Sequence, residues 1–225
     1  LVFGTNDMTK GPAMTPGTAL AAIELGLTLV KEKKEQGFRL IATGETGIGN
    51  TTAASAMASV LLGEPVEKVT GRGAGLCDEG LIRKRAAIAE AIRINVPDTD
   101  DPIDALAKVG SLDIAAMTGA FLGGALHRIP IVMDGVISSV AALIAVRLNP
   151  LVRDFIVPSH ISAEPAARLI CDALKMEPIL HADMRLGEGT GAAALFPILD
   201  QAAAVYNNAA TFADISVDAY KRQLC

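Results

Sequence analysis

Tryptophan is absent from this 225-residue chain, and aromatic residues make up only 4% of it. Its core must therefore be built from Ala, Leu, Ile and Val, since apolar types reach 51% at a mean hydropathy of +0.39. Such a composition suits parallel strands covered by Ala-rich helices, and the length suffices for one sizeable domain with a well-buried core. Long hydrophobic runs are missing too. No stretch approaches the roughly 18 apolar residues of a membrane span, and the nearest candidate, 136–146, carries two serines. The chain reads as a protein without a membrane partner.

Charge of one sign is scarce in any concentrated form. Net charge is −5, and the 20 Lys and Arg residues are scattered, apart from a short cluster at 31–34 that reads as a solvated helix end. Nothing resembles the basic stripe of a nucleic-acid binder. Cysteine is equally sparse: Cys77, Cys171 and Cys225 are far apart and odd in number. That pattern indicates reduced thiols and a cytoplasmic location, not a disulfide framework or a metal knuckle. His127, His160 and His181 form no metal-ligand spacing, so no metal or cofactor is expected. The charged-then-apolar plan of a secretory signal is not seen. Gly4-Thr5-Asn6 arrives almost at once after Leu1, which reads as the middle of a protein with an N-terminal part missing.

Short apolar runs alternate with amphipathic or Ala-rich stretches, the pattern of an α/β fold with a Rossmann-like open parallel sheet flanked by helices. Strands are expected at 38–43, 66–70, 129–134, 154–158 and 179–184. Helices are expected from 15 to about 36, with Thr15 as cap and Pro16 in the first turn, then at 51–62, 78–95, 102–109, 112–127, 137–148, 165–175 and 190–208. Residues 96–102, with two prolines and three aspartates, read as a surface loop. The final fifteen residues are amphipathic enough to dock on a partner chain. Nearly every expected strand is followed by a turn rich in Gly, Ser or acidic residues: GETGIGN, GRGAG, DGVISS, SHISAEP and RLGEGTG. In an open parallel sheet such turns gather at the carboxyl ends of the strands, where ligands bind.

The first of these turns, GETGIGNTT, is spaced like a phosphate-binding P-loop, yet Asn50 stands where the lysine belongs. Without that lysine a triphosphate and its Mg²⁺ are disfavoured. The dinucleotide fingerprint fails as well, because Gly47-x-Gly49 lacks the third small residue. Glycines and the start of the next helix still offer backbone N–H groups to an anion. Glu45 would repel a phosphate placed directly on it, so it is expected to face a neutral or cationic part of the ligand.

Gly71, Gly73 and Gly75 form a second glycine loop, with Lys84 on the helix that follows. This is either a monophosphate cradle or a flexible loop with a solvated lysine. Asp134 ends the third apolar run, where a carboxylate serves ribose hydroxyls or caps the next helix. A lone His160 is more often structural than catalytic. Glu188 sits between Gly187 and Gly189 directly before a helix. A capping carboxylate is the plain alternative, but Ser, Thr or Asp caps better and capping needs no flanking glycines, so a proton-transfer role is favoured.

Taken together, GTNDMTKGPAMT (4–15), GETGIGNTTAA (44–54), GRGAGL (71–76) with Lys84, DGVISSVAAL (134–143), SHISAEP (159–165) and RLGEGTGAA (185–193) closely resemble the nicotinate-nucleotide–dimethylbenzimidazole phosphoribosyltransferase family. Their order and spacing match over essentially the whole chain. The resemblance implies transfer of phosphoribose from nicotinate mononucleotide to a benzimidazole nitrogen, with inversion at the anomeric carbon and without a metal. It implies that Glu188 is the general base and that Gly73, Gly75, Lys84 and Ser162 hold the 5′-phosphate. Glu45, Gly47, Asn50 and Asp134 would line the nicotinate and ribose region, with Leu186 and Gly187 also at the substrate. It further implies a homodimer, an α/β catalytic domain over 1–200, and a small helical domain to which 201–225 contributes. Family chains carry more sequence before the GTNDM segment, so the benzimidazole pocket is expected to be incomplete here. Thr46 stands where the family usually has Met or Leu, which bears on the choice of acceptor, adenine or a phenolic base included. The rival reading is a non-catalytic subunit that holds a mononucleotide for a partner.

Overall fold

The computed structural model describes residues 2–218 together with 220 and 221. Cys225 and part of the C-terminal segment expected to dock on a partner lie outside the described residues.

Helix boundaries follow local chemistry. Helix α1 (Pro16–Glu35) starts where the Thr15 side chain accepts the Thr18 N–H at 3.1 Å and Pro16 occupies the first turn. Helix α2 (Asn50–Leu62) stops at Gly63, which takes the left-handed conformation at φ +64°. Next come α3 (Val66–Val69) and α4 (Asp78–Asn95). Helix α5 (Pro102–Val109) is capped by the Asp101 carboxylate, which accepts the N–H groups of Ile103 and Asp104. Helices α6 (Leu112–His127), α7 (Val136–Leu148), α8 (Ala166–Leu174) and α9 (Thr190–Asn208) complete the set among the described residues. Helix α9 runs through Asp200 without a break.

Three short strands form a parallel sheet in the order β1 (Ile41–Ala42), β2 (Ile131–Met133), β3 (Ile156–Pro158). Ile41 pairs with Ile131, and Val132 pairs with Val157. The two-residue period of a strand sends neighbours to opposite faces. Ile41, Ile131, Met133 and Ile156 accordingly join the large core shared with helices α1, α2 and α4–α8. Ala42, Val132 and Val157 point the other way, onto Ala192, Leu195, Phe196 and Leu199 of α9. Both faces are covered, as a parallel sheet requires.

Two helices approach unusually closely. A Cβ on Gly26 of α1 would lie 1.8 Å from the Ala116 carbonyl oxygen of α6, and one on Gly119 of α6 would lie 1.8 Å from that of Ile23. Here glycine is required by contact, not by turn geometry.

Some expected strands are not strands. Residues 66–70 form helix α3 and its extended C-cap Thr70, because Val66 and Val69 are buried while Glu67 and Lys68 between them are exposed. That three-residue repeat is a helical one. The GRGAG turn therefore follows a helix. Residues 154 and 155 end the 3-10 helix Pro150–Phe155, which shortens the strand after it. The run 179–184 makes one parallel bridge, Leu180 to His160, and leaves the extended conformation at Asp183, whose φ is +48°.

Candidate active site

The three strands end in polar residues. After β1, Thr43 Oγ1 donates to the Val132 carbonyl at 3.0 Å and lies 2.6 Å from Ser138 Oγ. After β3, Ser159 Oγ donates to the Met133 carbonyl at 2.6 Å. After β2 comes Asp134, buried to 4% exposure. These carboxyl ends open into a cleft of about 320 Å³. Of the sequence-expected residues, Glu45, Gly47, Asn50, Gly73, Asp134, Ser162, Leu186, Gly187 and Glu188 all line it. They come from loops spread over the chain and, for Asn50, from the start of α2.

The first wall is the Gly44–Gly49 loop. Glu45 does not simply point at a ligand: its Oε2 accepts the Gly47 N–H at 2.8 Å, and the Asn50 amide donates to the same oxygen. Asn50 also donates to Asp113 Oδ2 at 2.6 Å. The residue in place of the P-loop lysine thus ties this loop to α6. A Cβ on Gly47 would lie 2.6 Å from Asp113 Oδ2 and 2.7 Å from the Asn50 amide nitrogen, so a larger residue there would displace these two side chains.

The second wall is the Gly71–Gly75 loop, with Gly73 at φ +56° and Gly75 at φ +107°. Glu164 enters it: Oε1 accepts the Gly73 N–H at 3.0 Å, and a Cβ on Gly71 would lie 2.1 Å from Oε2. Gly75 and Lys84 are not among the residues that line the cleft. Lys84 is buried beneath it, donating to Thr51 Oγ1 and to the Gly71 carbonyl, each at 3.0 Å. Burial lowers the pKa of its ammonium, while the nearby Glu164 carboxylate raises it. A solvated lysine, the plain alternative, is thereby excluded.

The third wall carries Glu188. Gly187, Glu188 and Gly189 are all left-handed, with φ of +80°, +59° and +79°. Glycine tolerates that conformation; for Glu188 it costs about 1–2 kcal/mol. The turn closes where Thr190 donates both its N–H (3.0 Å) and its hydroxyl (2.6 Å) to the Gly187 carbonyl. Glu188 is exposed at the cleft's edge, where its carboxylate is accessible to a bound molecule.

Asp134 does not cap the helix that follows it. Its Oδ2 accepts the Gly189 N–H and its Oδ1 the Ala192 N–H, both at 3.0 Å, so it caps α9 from the sheet. His160 lies alongside, buried, with Nδ1 3.0 Å from Ser159 Oγ and 4.0 Å from Asp134 Oδ1. Burial lowers its pKa, and Asp134 raises it.

Glu164, Arg185 and His160 line the cleft without having been chosen from the sequence. An acid in a Ser- and His-bearing loop after a strand was the available signal for Glu164. Among the described residues, no group of His, Cys, Asp and Glu could hold a metal ion, and no helix is long and apolar enough to cross a membrane.

Residues 1–217 match the family described as Phosphoribosyltransferase (DBI_PRT). The chain is 52% identical over 218 residues to the nicotinate-nucleotide–dimethylbenzimidazole phosphoribosyltransferase of Ruminiclostridium cellulolyticum, covering 97% of this chain and 62% of that protein. It is 51% identical over 221 residues to the protein of the same name from Acetivibrio thermocellus, covering 98% and 63%. The crystal structure of CobT from Thermus thermophilus superposes with a TM-score of 0.89 at 41% identity, over 95% of this chain and 64% of that one. The chain belongs to the nicotinate-nucleotide–dimethylbenzimidazole phosphoribosyltransferase family and spans somewhat under two thirds of these relatives' length.

Proposed function

We propose that this chain, as a member of that family, transfers phosphoribose from nicotinate mononucleotide to 5,6-dimethylbenzimidazole or a related base. The products are α-ribazole 5′-phosphate and nicotinate. The observation that carries the reading is the left-handed turn that puts the Glu188 carboxylate on the edge of the cleft, which the Gly44–Gly49 loop also lines.

The chemistry asks for little else. A base nitrogen attacks the anomeric carbon, and the bond to the pyridinium nitrogen of nicotinate breaks with its electron pair. Because that nitrogen is cationic in the substrate, it leaves neutral and needs no acid. The attacking base carries a proton on its other nitrogen, and Glu188 accepts it. In this reading the 5′-phosphate lies over Gly73 and Ser162, with Gly75 shaping the loop. Lys84 acts from below, through the Thr51 hydroxyl and the Gly71 carbonyl that it holds. Glu45, Gly47 and Asn50 border the ribose and nicotinate, with Asp134 behind them and both its oxygens engaged by the Gly189 and Ala192 N–H groups, and Leu186 and Gly187 border the base. We further propose a cytoplasmic homodimer whose α/β catalytic domain spans 1–200, with 201–225 contributing to a small helical domain.

Incubation of the chain with nicotinate mononucleotide and dimethylbenzimidazole, followed by chromatography of the products, tests the reading. Equimolar nicotinate and α-ribazole 5′-phosphate are expected, with Glu188→Gln slow. Mononucleotide binding without transfer to dimethylbenzimidazole, adenine or a phenol would replace it with a binding subunit.

A further inference from the structure

We infer that Asp134 is a positioning residue for the Glu188 loop, acting with His160, and is not a ribose ligand. This rests on the proposal that Glu188 is the proton acceptor.

Residues 187–189 are three consecutive left-handed residues, one of them not a glycine. Such a backbone persists only where the surroundings over-determine it. Three contacts do so. Asp134, fixed at the end of the central strand, accepts the N–H groups of Gly189 and Ala192, each at 3.0 Å. These are among the otherwise unpaired donors at the start of α9, and the negative charge also suits that helix end. Gly189 has no side chain with which to cap α9 itself, so Asp134 supplies the cap from 55 positions away. On the second side, Gly44 abuts the loop so closely that a Cβ there would lie 3.0 Å from Gly189 Cα. On the third, Gly191 rests on the His160 ring, where a Cβ would come 1.8 Å from Nδ1. His160 is in turn held by Ser159. The two residues that flank the loop's exit, Gly189 and Ala192, thus hang on one carboxylate, and Gly191 between them bears on one imidazole. Glu188 is aimed by groups that need not touch the substrate.

Steady-state kinetics on the chain with Asp134→Asn and, independently, Gly191→Ala test this. Both variants should lower kcat by about tenfold to a hundredfold through misplacement of Glu188, with KM for the mononucleotide nearly unchanged. A raised KM with kcat preserved in Asp134→Asn would make Asp134 a substrate ligand, and unchanged kinetics would also overturn the inference. Wild-type NMR provides a readout that needs no variant. Couplings across the hydrogen bonds, from Asp134 Cγ to the amide nitrogens of Gly189 and Ala192, are expected, and their absence refutes the contact. If Asp134→Asn does not fold, Gly191→Ala and these couplings decide. If the wild type transfers nothing, the proposed function fails by itself. The inference then stands or falls on whether the Glu188 resonances shift in Gly191→Ala.

Discussion

Lys84 Nζ lies 3.0 Å from Thr51 Oγ1, so a charge carried by α4 is tied to the first turn of α2 where that turn meets the cleft. The same ammonium donates to the Gly71 carbonyl. One buried cation therefore joins the second glycine loop to the helix that follows the first.

Lys84→Ala should weaken mononucleotide binding much more than binding of free nicotinate. The charge-assisted hydrogen bonds that hold Thr51 and the Gly71 carbonyl in place are lost, and such bonds are worth about 1.5–3 kcal/mol. Calorimetric titration with each ligand checks it. Equal weakening of the two would remove Lys84 from the phosphate region, and no change in either would leave it a purely structural strut.

Two substitutions at Glu188 should part stability from activity. Glu188→Gln keeps the side chain's shape, and loss of a general base lowers turnover by about 10²–10⁴. Glu188→Gly should be as inactive yet more stable by roughly 0.5–1 kcal/mol, because glycine accepts φ +59° without strain. Urea denaturation beside a product assay measures both. A Gln variant as fast as wild type would reduce Glu188 to a helix-end residue.

At the α1–α6 contact, Gly26→Ala or Gly119→Ala should destabilise by about 1–3 kcal/mol or more, since each new Cβ meets a backbone oxygen that has nowhere to go. Gly17→Ala, on the same helix with only Thr15 Oγ1 nearby at 3.8 Å, should be neutral or slightly stabilising. Thermal melts of the three variants compare contact with propensity directly.

Acidification should act through His160. Its folded-state pKa is lowered by burial, so the stability associated with the neutral ring is present above the ordinary value of 6.5. That stability is lost as pH falls from there through the lowered folded value, because the unfolded chain takes up the proton first. Urea midpoints should decline from about pH 7.5 towards about pH 5.5, and His160→Gln should flatten the decline in that window. An unchanged slope would show that other groups set the pH dependence.

Helices were more legible than strands. Thr15 with Pro16, Asp101 with Pro102, and Gly63 each mark a boundary by satisfying or releasing backbone groups within a few residues. The strands are only two or three residues long, so their apolar runs outlast their pairing. Val66 and Val69 illustrate the ambiguity: in so short a run, a helical repeat and a strand look alike. Within the site, the glycine loops were visible, but Glu164 was not. Its partner, the Gly73 N–H, is 91 positions distant.

The sequence by itself determined the α/β alternation, the helix ends, the glycine loops and the family. Each of these is written in local spacing or in motifs of a few residues. Only the tertiary structure decided what the charged groups do. Asp134 reads as a ribose partner or a local cap until folding brings the Gly189 and Ala192 N–H groups to it. Lys84 reads as part of a phosphate cradle or as a solvated lysine until Thr51 and the Gly71 carbonyl close over it. A carboxylate or ammonium taken out of water must find partners, and which partners it finds depends on distances that close only when the chain has folded.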